Sequence, residues 1–219
     1  MIATKKGVCE DYSRLFKTLC YYAGIDCEVI KGRGRYWDDE VSGGTNHAWN
    51  AVMIGNKWHL LDVTWAAGIC DDSVKAFMKS YNDFYFLTPP GAFINTHFPD
   101  DAKWILLDET PTLHQVYNTV YTYPGFYKSK IKSIKPVERT IEITQANRKV
   151  TIELELPAGT IPKDVFLSEM PSMAFGDVEI KVVGNKVICI YEVISDEPTG
   201  LFVYYNSKPV LAYKIKMKK

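Results

Sequence analysis

The 219-residue chain is long enough to bury a core in one large domain or two small ones. Its 26 basic residues balance its 26 acidic residues, so no net charge favours nucleic acid or an anionic membrane surface. No apolar run approaches the roughly 20 residues needed to span a bilayer, and the first residues lack the apolar stretch of a signal peptide. Oligomeric state and compartment stay open, and a secreted or periplasmic location is compatible with an N-terminus that is cut short.

The cysteines do not form a recognisable framework. They are odd in number, widely spaced and without a CxxC pair, which excludes a disulfide scaffold and a zinc ribbon. They are Cys9, Cys20, Cys27, Cys70 and Cys189. At least one thiol should therefore be free, and we expect neither a metal nor a cofactor.

The first predicted element is an amphipathic helix that begins at or just after Cys9 and stops near Gly24. Its apolar residues recur at helical spacing: Tyr12, Leu15, Phe16, Leu19, Tyr22 and Ala23. Glu10 and Asp11 fall in the first turn, where negative charge suits the helix dipole. Unpaired backbone N–H groups at a helix start lower a cysteine pKa from its usual ~8.5, so Cys9 is a candidate nucleophile. A buried structural thiol is the alternative, and we assign that role to Cys20 and Cys27.

A β-hairpin is predicted around Gly55-Asn56, because two apolar, aromatic-rich segments flank this two-residue turn signal. If Ile54 faces Lys57, the register also places Trp49 opposite Asp62. Alternate residues of each strand then share one face. A slip of one residue would move Asp62 to the other face, so the prediction is sharp.

The same register makes His47 a partner of Thr64 and a diagonal neighbour of Asp62, about 7–8 Å away at the backbone. A carboxylate beside an imidazole fixes its tautomer and leaves the other ring nitrogen free to take a proton from a thiol. A solvated ion pair on a surface strand is the alternative. The other histidines have no evident partner and are expected to be structural or solvent-facing: His59, on the opposite face, and His97 and His114, in loop-like segments.

The second half of the chain reads as an all-β domain. Seven short segments rich in β-branched and aromatic residues are separated by turn signals: RTIEITQ, KVTIELEL, DVFLSEM, DVEIKVV, KVICIYEV, GLFVYYN and PVLAYKIKM. Seven strands in about 80 residues favour an immunoglobulin-like β-sandwich. We therefore predict an α+β chain with a core at 1–112, a connecting segment at 113–138 and a sandwich at 139–219.

Three segments in this order resemble the transglutaminase-like superfamily, from about Thr4 to Tyr117. GVCEDYSRLFKTLCYYAGIDCEVIKGRGR resembles its nucleophile helix and following strand, and NHAWNAVMIGNKWHLLDVTW resembles its histidine and aspartate strands. FYFLTPPGAFINTHFPDDAKWILLDETPTLHQVY is similar to the segment after the core in the kyphoscoliosis-peptidase branch. Together the three blocks are more specific than any one alone.

The resemblance implies a papain-like or transglutaminase-like core that performs acyl transfer on a protein or peptide amide. Cys9 would be the nucleophile, His47 the base and Asp62 the residue that orients it. The acyl-enzyme would be resolved by water, as in a peptidase, or by a lysine amine, as in a transglutaminase. The backbone N–H of Cys9 and a second donor would hold the oxyanion.

One departure from the family concerns the start of the chain. Family members carry a helical segment before the nucleophile helix, whereas eight residues precede Cys9 here. A side-chain oxyanion donor from that segment would then be missing.

The tryptophans that could line a peptide groove or fill the core are Trp37, Trp49, Trp58, Trp65 and Trp104. We take Trp49 and Trp65, with Gly7, as candidate substrate contacts.

Three other functions compete with a peptidase or amidase. A calcium-dependent crosslinker needs clustered oxygen ligands, and the acidic clusters are explained more simply as solvated loops. A non-enzymatic scaffold would use the groove and the sandwich to hold a partner. A zinc site from one cysteine, one histidine and one aspartate would be an incomplete ligand set.

The basic run KGRGR lacks the strand and helix that flank a phosphate loop. We interpret it as a strand end and turn beside the site.

Overall fold

The computed structural model describes residues 6–41, 44–71, 76–160 and 164–218. The chain forms two compact units. The first comprises Met1–Arg35 and Ser42–Thr112, and the second comprises Tyr36–Val41 and Leu113–Lys219. The stretch 113–138, expected from the sequence to be a connection, belongs to the second unit and contributes helices and strands to it.

The first unit combines one long helix with short strands. Its elements are α1 (Cys9–Tyr22), β1 (Cys27–Gly34), β2 (His47–Ile54), β3 (Lys57–Leu61), α2 (Val63–Ala67), β4 (Gly68–Asp71), β5 (Ala76–Lys79), α3 (Pro90–Phe93) and β6 (His97–Pro99), with 3-10 turns at Asp83–Tyr85 and Ala102–Ile105. Strands β3, β2, β1 and β6 form, in that order, one antiparallel sheet. Strand β4 pairs with β5 separately.

The β2–β3 hairpin has the register that the sequence predicts. Ile54 lies opposite Lys57, and the pairing continues without a slip along the hairpin. Gly55 and Asn56 have φ angles of 57° and 61°, the positive values that a type I′ turn requires at both central residues. The turn chemistry therefore fixes which side chains of β2 face the interior.

Helix α1 packs through a face that overlaps the predicted one only in part: Phe16 packs against a buried apolar cluster as expected. Its buried residues are Ser13 and Cys20, whereas Leu19 and Tyr22, expected to face the core, are 59% and 81% exposed. A polar contact lies on the buried face: the side-chain amide of buried Asn50 in β2 donates to the Ser13 backbone carbonyl at 3.0 Å. Spacing alone could not reveal that a serine would face the sheet.

The second unit consists mainly of strands. Its elements are α4 (Leu113–Asn118), β7 (Tyr121–Thr122), α5 (Pro124–Lys128), β8 (Ser133–Lys135), β9 (Thr140–Thr144), β10 (Lys149–Glu155), β11 (Val165–Met170), β12 (Ala174–Phe175), β13 (Val178–Val183), β14 (Lys186–Glu192), β15 (Gly200–Tyr205) and β16 (Lys208–Lys218). Each of the seven predicted segments contains a strand.

Among the described residues of both units, no helix has the length and apolarity needed to cross a membrane.

Two sheets of the second unit share one apolar core. One sheet has the order β13–β14–β10–β8, and the other has β12–β11–β15–β16–β7 with β9 parallel to β16. Leu154 and Cys189 from the first sheet meet Leu167, Val203 and Leu211 from the second, all fully buried. A core shared by two sheets makes this unit a β-sandwich. Its immunoglobulin-like class stays a prediction.

A buried arginine ties the segment Tyr36–Val41 into the second unit. Arg139 is 4% exposed, and its guanidinium donates to the carbonyl oxygens of Trp37, Asp39 and Tyr117. Burial lowers the pKa of Arg139. These carbonyls give the buried cation hydrogen-bond partners, which it needs away from water.

A second buried charge lies at the end of β11. Glu169 is fully buried, and one carboxylate oxygen accepts from the Tyr191 hydroxyl at 2.7 Å and the Ile194 N–H at 2.6 Å. The other oxygen accepts from the Ser195 N–H at 2.8 Å. The three donors are buried or partly buried and need an acceptor, which Glu169 supplies. The glutamate therefore holds Ile194 and Ser195, the residues that follow β14, in place.

Replacing Glu169 tests this role. We expect Glu169→Gln to lower the free energy of unfolding by about 2–3 kcal/mol, because its amide group places a donor against existing donors. Urea denaturation followed by circular dichroism measures the loss. The matched control is Glu179→Gln, which removes an exposed partner of Lys181 and should cost about 0.5 kcal/mol or less. Equal effects of the two substitutions would contradict a structural role for Glu169.

Candidate active site

Cys9 is the first residue of α1, and its thiol is free and partly exposed. The backbone N–H of the preceding Val8 donates to the Asp11 carboxylate at 2.9 Å, which closes the first turn. The first N–H groups of a helix have no carbonyl partner within it, and they create a positive end. A thiolate at Cys9 would lie against this end of the 14-residue helix.

Asp62 is the N-cap of α2. Its Oδ1 accepts from the backbone N–H groups of Thr64 and Trp65, at 2.7 and 3.1 Å. Its Oδ2 lies 2.6 Å from Nε2 of His47. The predicted proximity is therefore present, but the predicted strand is too long: β3 ends at Leu61, so the strand pairs expected beyond that residue do not form. Asp62 reaches the histidine as a helix cap.

His97 is a second histidine on the same carboxylate. Its Nε2 lies 2.9 Å from Oδ2 of Asp62, and its Nδ1 lies 2.8 Å from the hydroxyl of Thr96. His97 is 1% exposed. The expectation of a histidine without a partner is wrong, because the three-residue strand β6 pairs with β1 and brings His97 to the site. So short a strand carries no periodic signal in the sequence.

Aromatic rings surround the two histidines. His97 stacks on Phe93 with ring centroids 4.0 Å apart and an interplanar angle of 19°. Trp65 lies 5.3 Å from His47 and 4.7 Å from His97, and Trp49 lies 5.1 Å from His97. Polar interactions are stronger in such apolar surroundings than in water, and an unpaired polar group costs more.

Burial and hydrogen bonding set the charges of this cluster. Burial alone would raise the pKa of Asp62, but the hydrogen bonds from His47 and His97 outweigh it and hold this pKa well below its usual range. Burial lowers the pKa of His97 to about 4, against the opposing effect of Asp62. Near neutral pH, Asp62 is thus a carboxylate and His97 a neutral imidazole.

The charges determine the tautomers. A carboxylate can only accept hydrogen bonds, so Nε2 of His97 carries its proton and Nδ1 accepts from Thr96. The same reasoning gives His47, when neutral, a proton on Nε2 and a lone pair on Nδ1. That lone pair is the one available to a thiol.

Two glycines of β1 make room for the cluster. A Cβ on Gly34 would lie 3.1 Å from Cγ of His47, and one on Gly32 would lie 2.6 Å from the Trp49 ring. Both belong to the run KGRGR, which is the end of β1 and does border the site. Arg35, the last residue of this run, is 1% exposed and adds nothing to a basic surface patch.

The candidate substrate contacts differ in exposure. Gly7 is exposed and lies two residues before Cys9, and Trp65 is half-buried against His47. Trp49 is 1% exposed and packs in the core against Phe93. A residue without accessible surface offers a substrate no contact, so we leave Trp49 out of the substrate-binding residues.

The structure joins His47 to Asp62 by a hydrogen bond. Among the described residues, no hydrogen bond joins the Cys9 thiol to the His47 ring. Cys9 begins α1 and His47 begins β2. The Asn50 amide links the two elements, because it donates to the carbonyl of Ser13, one helical turn after Cys9. The approach of the thiol to the imidazole is part of the proposal below.

The cluster has the composition of a metal site but the distances of hydrogen bonds. Ligand atoms of His47, Asp62 and His97 all lie within 4.8 Å of one another. Ligands of a tetrahedral zinc ion lie about 3.3 Å apart, as follows from metal–ligand distances near 2.0–2.1 Å. The separations of 2.6 and 2.9 Å between the ring nitrogens and Oδ2 are shorter. They match N–H···O hydrogen bonds to a charged acceptor.

Cys20 and Cys27 have the properties of structural thiols. They are 6% and 7% exposed and lie in one apolar cluster with Val52 and Leu61. Burial raises the pKa of Cys27 to about 12, with a further contribution from Cys20. A thiol with so high a pKa is a poor nucleophile near neutral pH.

A family comparison covers the part of the chain that carries Cys9, His47 and Asp62. Residues 1–63 match the model of the transglutaminase-like superfamily. The match extends from the start of the chain to the first residue of α2 and therefore includes Cys9, His47 and Asp62.

Similar proteins extend beyond that region. The chain is 39% identical over 165 residues to kyphoscoliosis peptidase of Mus musculus and 38% identical over 165 residues to that of Homo sapiens. Each alignment covers 74% of this chain and 25% of the relative. The chain is 31% identical over 165 residues to Lim and transglutaminase domain protein ltd-1 of Caenorhabditis elegans, which covers 68% of the chain and 22% of the relative. The chain thus spans about a quarter of the length of the curated relatives it matches.

Whether the His47–Asp62 hydrogen bond requires a glycine at position 34 can be tested. We expect Gly34→Ala to displace the His47 ring and weaken its bond to Asp62 by about 1 kcal/mol, because the added methyl group enters the space of the ring. The exchange rate of the His47 Nε2 proton, measured by NMR, should then rise about fivefold. Gly91→Ala is the control, since a Cβ there meets nothing within 4 Å. An unchanged exchange rate in Gly34→Ala would show that the ring adjusts without loss.

Proposed function

Because the chain belongs to the transglutaminase-like superfamily, in the branch related to kyphoscoliosis peptidase, we propose that it catalyses cysteine-dependent acyl transfer on protein or peptide amides. Hydrolysis, as a peptidase or amidase, is the preferred form of this reaction. One observation carries the proposal. The buried Asp62 carboxylate lies 2.6 Å from Nε2 of His47, which leaves Nδ1 of the ring to act as a base.

In the proposed reaction, Nδ1 of His47 takes the proton of the Cys9 thiol, and Asp62 stabilises the resulting imidazolium. The thiolate attacks the amide carbonyl and forms a tetrahedral intermediate. His47 then gives the proton to the leaving amine as the C–N bond breaks, which yields a thioester on Cys9. Water, deprotonated by His47, attacks the thioester and releases the acid and the thiol.

The oxyanion of the tetrahedral intermediate needs hydrogen-bond donors. The backbone N–H of Cys9 is one candidate, since it belongs to the unpaired first turn of α1. Gly7 supports the same proposal, because an exposed glycine two residues before the nucleophile permits close approach of a substrate backbone. Trp65, half-buried against His47, would form part of the wall beside the reacting atoms.

Thiol labelling tests the proposed nucleophile without a known substrate. We expect iodoacetamide to label Cys9 faster than the other thiols, and to do so at mildly acidic pH, because His47 and the helix start stabilise the thiolate. At pH 6.5, His47→Ala should slow labelling about tenfold or more, and Cys9→Ala should abolish the fast phase. Mass spectrometry identifies the labelled residue between pH 5 and 9. Cys20→Ala is the control and should change nothing. Labelling of Cys9 at the rate of a free thiol, indifferent to His47, would rule out the proposed triad and favour a scaffold.

The acyl acceptor is tested separately. With fluorescein-labelled casein as the probe, we expect release of small fluorescent peptides and no incorporation of dansylcadaverine, because water resolves the thioester in the proposed reaction. Cys9→Ala should lose at least about 99% of the release, as expected for removal of a nucleophile. Incorporation of the amine without peptide release would instead identify a crosslinking transglutaminase.

A further inference from the structure

The proposed reaction requires one histidine on Asp62, and the structure holds two. His97 lies at full burial with Nε2 2.9 Å from Oδ2 of Asp62, the same oxygen that His47 contacts. Its other ring nitrogen is occupied by Thr96, and its face stacks on Phe93. A histidine so enclosed cannot reach a substrate. Its chemistry is directed at the carboxylate.

The hydrogen bonds to Asp62 are complete only with His97. A carboxylate offers about four acceptor positions. Oδ1 uses two for the backbone N–H groups of Thr64 and Trp65, and Oδ2 uses two for the ring N–H groups of His47 and His97. Each donor favours the ionised form over the protonated one. Without His97, a buried oxygen with one partner would face the imidazolium of His47, and the carboxyl group would take up a proton more readily.

We propose that His97 is a positioning residue of the site: its Nε2–H keeps Asp62 ionised and holds Oδ2 toward His47 throughout the reaction. The catalytic part of this inference rests on the proposed function. The effect on Asp62 does not, since it follows from contacts within the folded chain.

The neighbouring groups support a neutral His97 in this role. Among the described residues, the titratable groups that face it are Asp62 and His47, and the ring of Tyr85 lies 5.9 Å from its own. Burial disfavours a positive charge on His97, so His47 alone becomes the imidazolium when the Cys9 proton is transferred. A second charged ring beside it would oppose that transfer. A neutral donor stabilises the carboxylate without this repulsion.

The variants separate the N–H donor from the bulk of the ring. His97→Gln keeps an amide N–H that reaches the position of Nε2, whereas His97→Leu keeps an apolar side chain without a donor. His97→Met replaces the leucine variant if near-ultraviolet circular dichroism shows that the latter is unfolded. His59→Leu is the matched control, because His59 lies in β3 opposite Val52 and has no contact with Asp62 among the described residues.

The first measurement is the carboxyl 13C shift of Asp62, followed by NMR from pH 1.5 to 8, because the wild-type pKa of this group lies well below the usual range. We expect His97→Leu to raise the pKa of Asp62 by about one unit or more, the effect of losing one hydrogen bond to a charged group. His97→Gln and His59→Leu should leave it within about half a unit. An unchanged Asp62 in His97→Leu, or equal shifts in the glutamine and leucine variants, would overturn the inference.

The second measurement is the iodoacetamide labelling of Cys9 against pH. If His97 supports the reaction, the acid limb of the labelling profile moves upward in pH by about one unit or more in His97→Leu and is restored in His97→Gln. Fast wild-type labelling that depends on His47 but not on His97 would overturn the inference while the proposed function stands. Slow wild-type labelling with the expected Asp62 shift would have the opposite meaning, since the triad would fail while His97 still controls the carboxylate.

Discussion

The first unit is organised around a carboxylate that has no access to water. Asp62 is fully buried, and a charge in that position is tolerated only when its oxygens are filled with donors. The donors come from α2, β2 and β6, so three elements must meet before the charge is satisfied. The same requirement aligns the His47 ring, since the carboxylate accepts from Nε2 and leaves Nδ1 open. Stability and the geometry of the proposed chemistry thus depend on one side chain.

Much of this arrangement could be predicted from local pattern. A two-residue turn with positive φ fixed the β2–β3 register, and helical spacing with acidic residues at its start located α1. The nearness of His47 and Asp62 followed from the register. The cap at Asp62 was missed, although an aspartate before a short apolar run is a signal for a helix start. Extending the predicted strand from Leu61 to Thr64 hid that signal.

Other features have no local signal. The bond between His97 and Asp62 joins residues 35 positions apart through a strand of three residues, and only the pairing of β6 with β1 creates it. The inward face of α1 includes buried Ser13, whose backbone carbonyl accepts from Asn50 of β2, a partner 37 positions away in the sequence. In the second unit, alternation located the strands, but the parallel pairing of β9 with β16 depends on which sheet edge is available. Sequence pattern identifies elements more readily than their partners.

The segment Tyr36–Val41 has a consequence for how the chain can be divided. The first unit is discontinuous, because the chain leaves it after Arg35 to contribute this segment to the second unit and later returns. A shortened chain that stopped at Thr112 would keep the segment but lose Arg139, whose guanidinium binds the carbonyls of Trp37 and Asp39, and Lys214, which pairs with Glu40. Three residues would then be left without the groups that hold them. Cutting the chain between Thr112 and Leu113 therefore does not yield two self-contained pieces.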